Sequence, residues 1–272
     1  MPELPEVETI ASGVNRRVQG DSIVSAWFSL YREPCRTPAA EMAPALDGRR
    51  IERVRRVGKH IVFDLSYRGA ASAQWIVHLG MTGRLLVSVA AVPVPPHTHA
   101  ILRLASGREL RFVDARRFGR LALHTAEGGG FAGPGREPLT ISKEEFAALF
   151  CGRKLSVKAA LLNQRLLHGI GNIYADESLF RAGIRPTRVA GRLARERLDH
   201  LHTEIRAVLT GAIRAGGSSV SDYVDADGVR GFFQTEHRVY GREGEPCAVC
   251  GTRIRKMVVA GRGTHYCPRC QR

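Results

Sequence analysis

Two stretches of this chain carry side chains whose types and spacing can do chemistry, and they lie at opposite ends. The first is Met1-Pro2-Glu3-Leu4-Pro5-Glu6-Val7-Glu8. Removal of Met1 would leave Pro2 with a free secondary amine beside the Glu3 carboxyl. Such an amine attacks the C1′ carbon of a sugar and gives a cationic iminium, because an α-amino group titrates low enough to be partly neutral near pH 7. Glu3 can then supply the proton. On these residues alone a frayed terminus is the simpler reading.

The second stretch is a pair of knuckles, Cys247-Ala248-Val249-Cys250 and Cys267-Pro268-Arg269-Cys270, sixteen residues apart. That spacing lets two tight turns offer four sulfurs tetrahedrally to one structural zinc ion. A disulfide or redox pair is the alternative. Four protein ligands leave no position open for water, so this metal is not expected to catalyse. So short a segment cannot bury a core of its own, and metal binding would supply its folding energy. Between the knuckles stand Arg253, Arg255, Lys256, Arg262 and His265. A zinc-stabilised hairpin carrying these cations suits placement of a planar guanidinium against phosphate. Cys35 and Cys151 lack partners at metal spacing and are expected to be ordinary buried thiols.

The rest of the chain must position these ends. Its 272 residues carry a net charge of +15, which favours a polyanionic partner and salt-dependent binding, with a merely basic protein as the alternative. A hydrophobic fraction of 44% supplies buried cores for one large or two moderate domains. Glu3, Glu6, Glu8, Arg16 and Arg17 stand where a secretory signal needs an apolar core, and no apolar run reaches membrane-spanning length. The expectation is an intracellular, cytoplasmic protein with no membrane partner.

Residues after Glu6, as far as about Val18, have helical spacing, while 61–65, 75–79 and 101–104 alternate like strands, so the first part reads as β after a leading helix. Gly and Pro cluster over 127–138, where neither helix nor strand is well tolerated. Helical patterns follow at 143–150, 156–167, 172–182 and 193–215. The expected organisation is an N-terminal domain over 1–127, a linker over 128–140, a helical domain over 141–230 and a zinc segment over 231–272. Gly169-Ile170-Gly171-Asn172 lacks the third glycine and the preceding strand of a dinucleotide loop, so no nucleotide cofactor is expected. Two glycines allow a tight turn, and Asn172 is suited to cap the following helix.

Further motifs lie in order along the chain: PELPEVE at 2–8, Lys59 before a strand, HLGMTG at 78–83, HTH at 97–99, DARRFG at 114–119 and GIGNIYADE at 169–177. With the cysteine tail, they resemble the formamidopyrimidine-DNA glycosylase family, to which endonuclease VIII is related. PELPEVE and HLGM favour the formamidopyrimidine branch. The resemblance implies a multidomain α and β fold: an N-terminal β-sandwich with a leading helix, then a helix-two-turn-helix domain with a zinc finger. It implies a base-excision enzyme that removes oxidised purines such as 8-oxoguanine and formamidopyrimidines, then nicks the abasic strand by β,δ-elimination.

By the same resemblance Pro2 is the nucleophile and Glu3 the assisting acid, and Lys59 contacts phosphate near the lesion and transfers a proton. Arg262 is the zinc-finger arginine of δ-elimination, where stabilising the departing phosphate suits a guanidinium better than proton transfer. Met81, Arg116 and Phe118 match side chains that fill the helix when the damaged nucleotide leaves. His97, Lys154 and Asn172 match DNA-contacting positions. Without the motifs, Met81 and Phe118 read as core and Lys59 as an exposed strand-end lysine. Glu6 is expected to hold the N-terminal turn. The chain departs from the family's usual pattern at Ala115 and near Ser221, and the second departure bears on lesion preference through the loop at 217–231. The expected partner is duplex DNA with oxidised bases or abasic sites, bound by a monomer holding one Zn2+. The rivals are an endonuclease VIII-like enzyme for oxidised pyrimidines, a noncatalytic zinc-dependent damaged-DNA-binding protein and a zinc metallonuclease.

Overall fold

The computed structural model describes residues 1–31, 33–125, 130–219 and 231–272. It contains two compact units, Met1–Ala132 with Gly216–Phe232, and Gly133–Ala215 with Phe233–Arg272. The chain thus returns to the first unit at Gly216–Phe232, inside the stretch expected as one helical domain over 141–230. Part of the reason is a hydrogen bond from the Ser218 N–H to Glu6 at 2.8 Å. Ser221 and most of the 217–231 loop lie outside the described residues, as do the first two residues of the expected linker.

In the first unit α1 (Leu4–Val18) precedes eight strands and a short helix: β1 (Ile23–Phe28), α2 (Ala39–Leu46), β2 (Arg50–Val57), β3 (His60–Tyr67), β4 (Ala70–His78), β5 (Arg84–Val89), β6 (Thr98–Leu104), β7 (Arg108–Val113) and β8 (Arg120–Thr125). They pair antiparallel into two four-stranded sheets, ordered β1-β6-β7-β5 and β2-β3-β4-β8. One apolar core joins them: Phe28, Leu85, Leu102 and Phe112 from the first sheet meet Ile51, Phe63, Trp75 and Val77 from the second. This is the β-sandwich with its leading helix. Val7, Ile10, Ala11, Val14 and Val18 recur at helical spacing and lay α1 against that core. β3 does not alternate cleanly because Val62 and Ile76, on the opposite face, are covered by Phe131.

α1 starts at Leu4, earlier than its apolar pattern indicates, because Glu3 and Glu6 form a reciprocal capping box and Pro5 is tolerated in a first turn. The second unit holds α3 (Lys143–Phe150), α4 (Val157–Leu162), α5 (Asn172–Arg181), α6 (Arg195–Arg214) and a hairpin of β9 (Arg255–Val259) and β10 (Arg262–Tyr266). Ser142 and Ser156 cap α3 and α4 through their side chains. α4 is shorter than the helix expected over 156–167. Apolar spacing continues to Leu167, but Gln164 bends the chain into a turn by donating to the Leu162 and Ile170 carbonyls and accepting from the Gly169 N–H.

Candidate functional site

The N-terminal turn is held by one carboxylate. Glu6 is 2% exposed; its Oε2 accepts the Glu3 N–H at 2.8 Å and its Oε1 the Ser218 N–H at 2.8 Å. It is the structural acceptor expected, and its charge also suits the positive end of α1. Glu3 is the N-cap of that helix, and Pro2 is buried immediately before it. Met1 is attached and half exposed, so the Pro2 nitrogen is an amide that stands in for the amine released when Met1 is removed. Gly217 and Gly231 approach each other closely: a Cβ on Gly231 would lie 2.3 Å from the Gly217 oxygen. The base of the 217–231 loop therefore closes beside the Ser218 amide that Glu6 holds.

Elsewhere in this unit, two turns are locked together. Asp114 is fully buried and accepts the Thr82 hydroxyl at 2.5 Å, the Arg116 N–H at 3.3 Å and the Gly119 N–H at 2.7 Å. Its own N–H donates to the His97 carbonyl at 2.9 Å. The His99 Nε2 lies 3.1 Å from the Asp114 carbonyl, and the His99 Nδ1 lies 3.1 Å from the Ser29 hydroxyl. Because a carbonyl only accepts, the proton belongs on Nε2, and burial, the largest influence on His99, holds its pKa down in keeping with a neutral ring. Gly80 has φ +65°, and a Cβ there would meet the Phe118 backbone at 2.5 Å. No other residue type permits that approach.

These locks leave Met81 at 39% and Phe118 at 44% exposure, with the Arg116 guanidinium 4.7 Å over the Phe118 ring. Core packing is thereby excluded for Met81 and Phe118. An apolar thioether, a ring and a planar cation stand outward on a rigid backbone. Arg117 similarly lies 4.7 Å over Tyr31. Lys59, in the turn between β2 and β3, is 8% exposed and so is not a solvated strand-end lysine. Next to it the His60 and His78 rings are 4.9 Å apart, and the His78 Nδ1 accepts the Gly80 N–H at 3.2 Å. Burial, aided by the nearby positive groups, lowers His78 to about 4, so the ring stays neutral and able to accept. His97 is exposed and held in the left-handed region, with φ 62°.

In the second unit Lys154 is exposed just ahead of α4. Asn172 does not cap α5. Gly171 occupies the cap, and Asn172 is the first helical residue, whose Nδ2 donates to the Gly263 carbonyl at 2.9 Å. The tight turn before the helix gives the cap to glycine and turns the amide towards the hairpin. Arg262 is exposed where β10 begins, after the turn at Ala260 and Gly261. The hairpin is fastened to the helices by a buried ion pair: Lys158 Nζ and Asp176 Oδ1 are 2.6 Å apart, both fully inaccessible. Lys158 also donates to the Thr264 hydroxyl at 2.7 Å, and Asp176 accepts the His265 N–H at 2.8 Å. Glu177 accepts the backbone N–H groups of Arg238, Val239 and Tyr240 at 2.9–3.0 Å.

The four sulfurs of Cys247, Cys250, Cys267 and Cys270 all lie within 4.8 Å of one another, with separations of 3.9 Å for Cys247–Cys270 and 3.5 Å for Cys250–Cys267. Tetrahedral Zn–S bonds of about 2.3 Å imply S–S edges near 3.8 Å, so the donor set fits zinc. Burial pushes the Cys267 and Cys270 thiols up, and a divalent cation is what allows such crowded sulfurs to ionise together. Cys35 is buried, as expected. Cys151 is exposed, because it follows the buried Phe150 at the end of α3, where the chain leaves the helix.

Several residues that build these sites were not singled out by sequence reasoning: Asp114, Gly80, His99, Lys158, Asp176 and Glu177. Most lie inside the quoted motifs, but an acid beside arginines reads as a surface charge until its backbone partners are known. Lys158 sits in an apolar helical run, and that incongruity was the one available signal.

Residues 1–121 match the model of the formamidopyrimidine-DNA glycosylase N-terminal domain, 134–224 that of the formamidopyrimidine-DNA glycosylase H2TH domain, and 244–272 that of the zinc finger found in FPG and IleRS. The formamidopyrimidine-DNA glycosylase of Solibacter usitatus is 46% identical, covering 100% of both chains. Among solved structures, the wild-type Lactococcus lactis Fpg in complex with an N7-benzyl-Fapy-dG containing DNA superposes with a TM-score of 0.89 at 34% identity, covering 100% of both chains. The same L. lactis protein in complex with an oxidised pyrimidine containing DNA gives a TM-score of 0.88 at 33% identity, again covering 100% of both chains.

Proposed function

Because the chain belongs to the formamidopyrimidine-DNA glycosylase family, a family of base-excision DNA repair glycosylases with abasic-site lyase activity, we propose that Pro2 and Glu3 carry its chemistry and that its substrates are oxidised purines. The observation that carries the reading is the N-terminal turn. Glu6 fixes the backbone of the turn that carries Pro2 and Glu3, holding the Glu3 amide at one oxygen and the Ser218 amide at the other. Freed of Met1, the Pro2 nitrogen attacks C1′. The glycosidic bond breaks and the base leaves with a proton supplied through Glu3; the amine then gives up its own proton as the C1′–O4′ bond breaks and O4′ is protonated, so that the opened sugar is held as an iminium. Loss of a C2′ proton expels the 3′ phosphate, and loss of a C4′ proton expels the 5′ phosphate. Hydrolysis of the iminium then returns the amine.

Lys59 is proposed to contact the lesion's phosphate and move a proton, and Arg262 to stabilise the departing phosphate. Met81, Arg116 and Phe118 fill the void left by the extruded nucleotide, whose unstacking costs roughly a few kcal/mol. Arg116 bonds the orphaned base, and Phe118 wedges between neighbours. His97, Lys154 and Asn172 contact the backbone. The zinc ion, bound by the four cysteines, supplies folding energy to the hairpin that carries Arg262; its coordination leaves no position for water. Action on DNA makes the working compartment intracellular. No described helix is long and apolar enough to cross a membrane.

Borohydride trapping on a duplex containing 8-oxoguanine opposite cytosine tests the nucleophile. Mass spectrometry is expected to find the DNA adduct on Pro2; an adduct elsewhere, or none with mature Pro2 and an abasic duplex, overturns the assignment. The L. lactis complex with an oxidised pyrimidine supports a second substrate reading. Faster excision of thymine glycol than of 8-oxoguanine would establish it over the first.

A further inference from the structure

A recess of about 430 Å³ opens on the outer face of the β1-β6-β7-β5 sheet, within the size range of small-ligand pockets. Its floor is the cross-strand pair Trp27 and Ile101, and its wall is the segment carrying Val94, Pro95 and His97. Arg103, two positions further along β6 and paired across from Ser25, closes the rim. None of these features is used by the excision chemistry except His97, whose backbone is shared with the Asp114 turn.

Three observations favour a ligand. First, Trp27 is 51% exposed on the sheet, an unusual place to leave an indole whose flat face can hold a planar ring. Second, the wall is rigidly built. Arg111, 1% exposed, donates to the carbonyls of Val89, Val92 and Pro93 at 2.9–3.2 Å and so fixes the segment over the floor. Third, the rim is positive. Arg111 and Arg103 share the single carboxylate of Glu109, at 2.6 and 3.2 Å, which leaves an excess cation where Arg103 is 64% exposed.

An aromatic platform beside a guanidinium, within a preformed wall, has the chemistry of a nucleotide site: the base stacks on the indole and the phosphate meets the cation. We propose that this recess binds one nucleotide, with its base on Trp27 and its phosphate towards Arg103, as a site separate from the excision centre. The nucleotide is either free in solution or part of a nucleic-acid strand.

The chain has two tryptophans, and Trp75 is 1% exposed in the core, so surface quenching of fluorescence reports on Trp27. Full-length, zinc-loaded protein is titrated with deoxyguanosine monophosphate and, separately, with an undamaged single-stranded oligonucleotide. Saturable quenching by the mononucleotide identifies a free ligand; saturable quenching by the strand alone identifies a nucleotide within DNA. In either case Arg103→Gln and Trp27→Ala weaken binding of the active probe roughly tenfold or more, measured by calorimetry. Quenching that rises without saturation for both probes, or affinity unchanged in both variants, overturns the proposal. Excision of 8-oxoguanine by the two variants is measured alongside, so that failure of the recess and failure of the repair reading remain distinguishable.

Discussion

The two units position their chemistry by different means. In the first, outward side chains stand on turns whose backbone amides converge on buried carboxylates, Glu6 and Asp114, over a large apolar core shared by two sheets. In the second, Arg262 rides on a hairpin whose local apolar cluster contains, among the described residues, Phe180, Val239 and Ile254 besides cysteines. That hairpin depends on four sulfurs and one buried ion pair. A large core leaves the surface free to vary, whereas a small one makes each polar fastening decisive.

The largest expected effect comes from removing the metal. Structural zinc contributes on the order of 10–16 kcal/mol to such segments, so chelation should abolish hydrogen-exchange protection at residues 255–266 and leave the β3 and β4 amides protected. Retained protection in the hairpin would contradict its dependence on the sulfurs. Next is the ion pair. Lys158→Met alone strands a buried Asp176 and should cost about 3–5 kcal/mol in denaturant unfolding, while Lys158→Met with Asp176→Leu should recover most of that loss. If single and double variants are equally unstable, the pair is not what fastens the hairpin.

In the first unit, Gly80→Ala puts a Cβ into the Phe118 backbone and strains a left-handed φ. About 1–3 kcal/mol of stability should be lost, with slower 8-oxoguanine excision in single-turnover assays because Met81 and Phe118 shift. Unaltered excision would mean that the locked turns are not needed. The smallest effect distinguishes the units by pH. Burial lowers both His78 in the first unit and His237 in the second to about 4, against an ordinary 6.5. The unfolded chain therefore binds more protons between those values, so this contribution to stability is complete above about pH 6.5 and is lost as pH falls towards 4. His78→Asn and His237→Asn should each flatten part of that slope, and a slope unchanged in both variants would assign the dependence to other groups.

Much of this was legible in the residues. The strands around Phe63, Trp75 and Leu102 follow from alternation, and α3, α5 and α6 from apolar spacing, with Ser142 marking the start of α3. The CxxC pairs give the metal site outright, because a ligand set is defined by atom type and short loop length. Where periodicity misled, a side chain intervened. Gln164 ended α4 while the apolar pattern continued, and Glu3 with Glu6 began α1 before it.

The sequence by itself determined the two kinds of unit, the zinc ligands and the motifs that carry the family. Tertiary structure alone decided that Met81 and Phe118 point outward, that Asn172 faces the hairpin instead of capping its helix, and that Ser218 and Glu6, 212 positions apart, meet. The physical reason is range. Periodicity and ligand spacing are local properties of a chain, whereas the partner of a buried carboxylate is whichever amide folding brings to it.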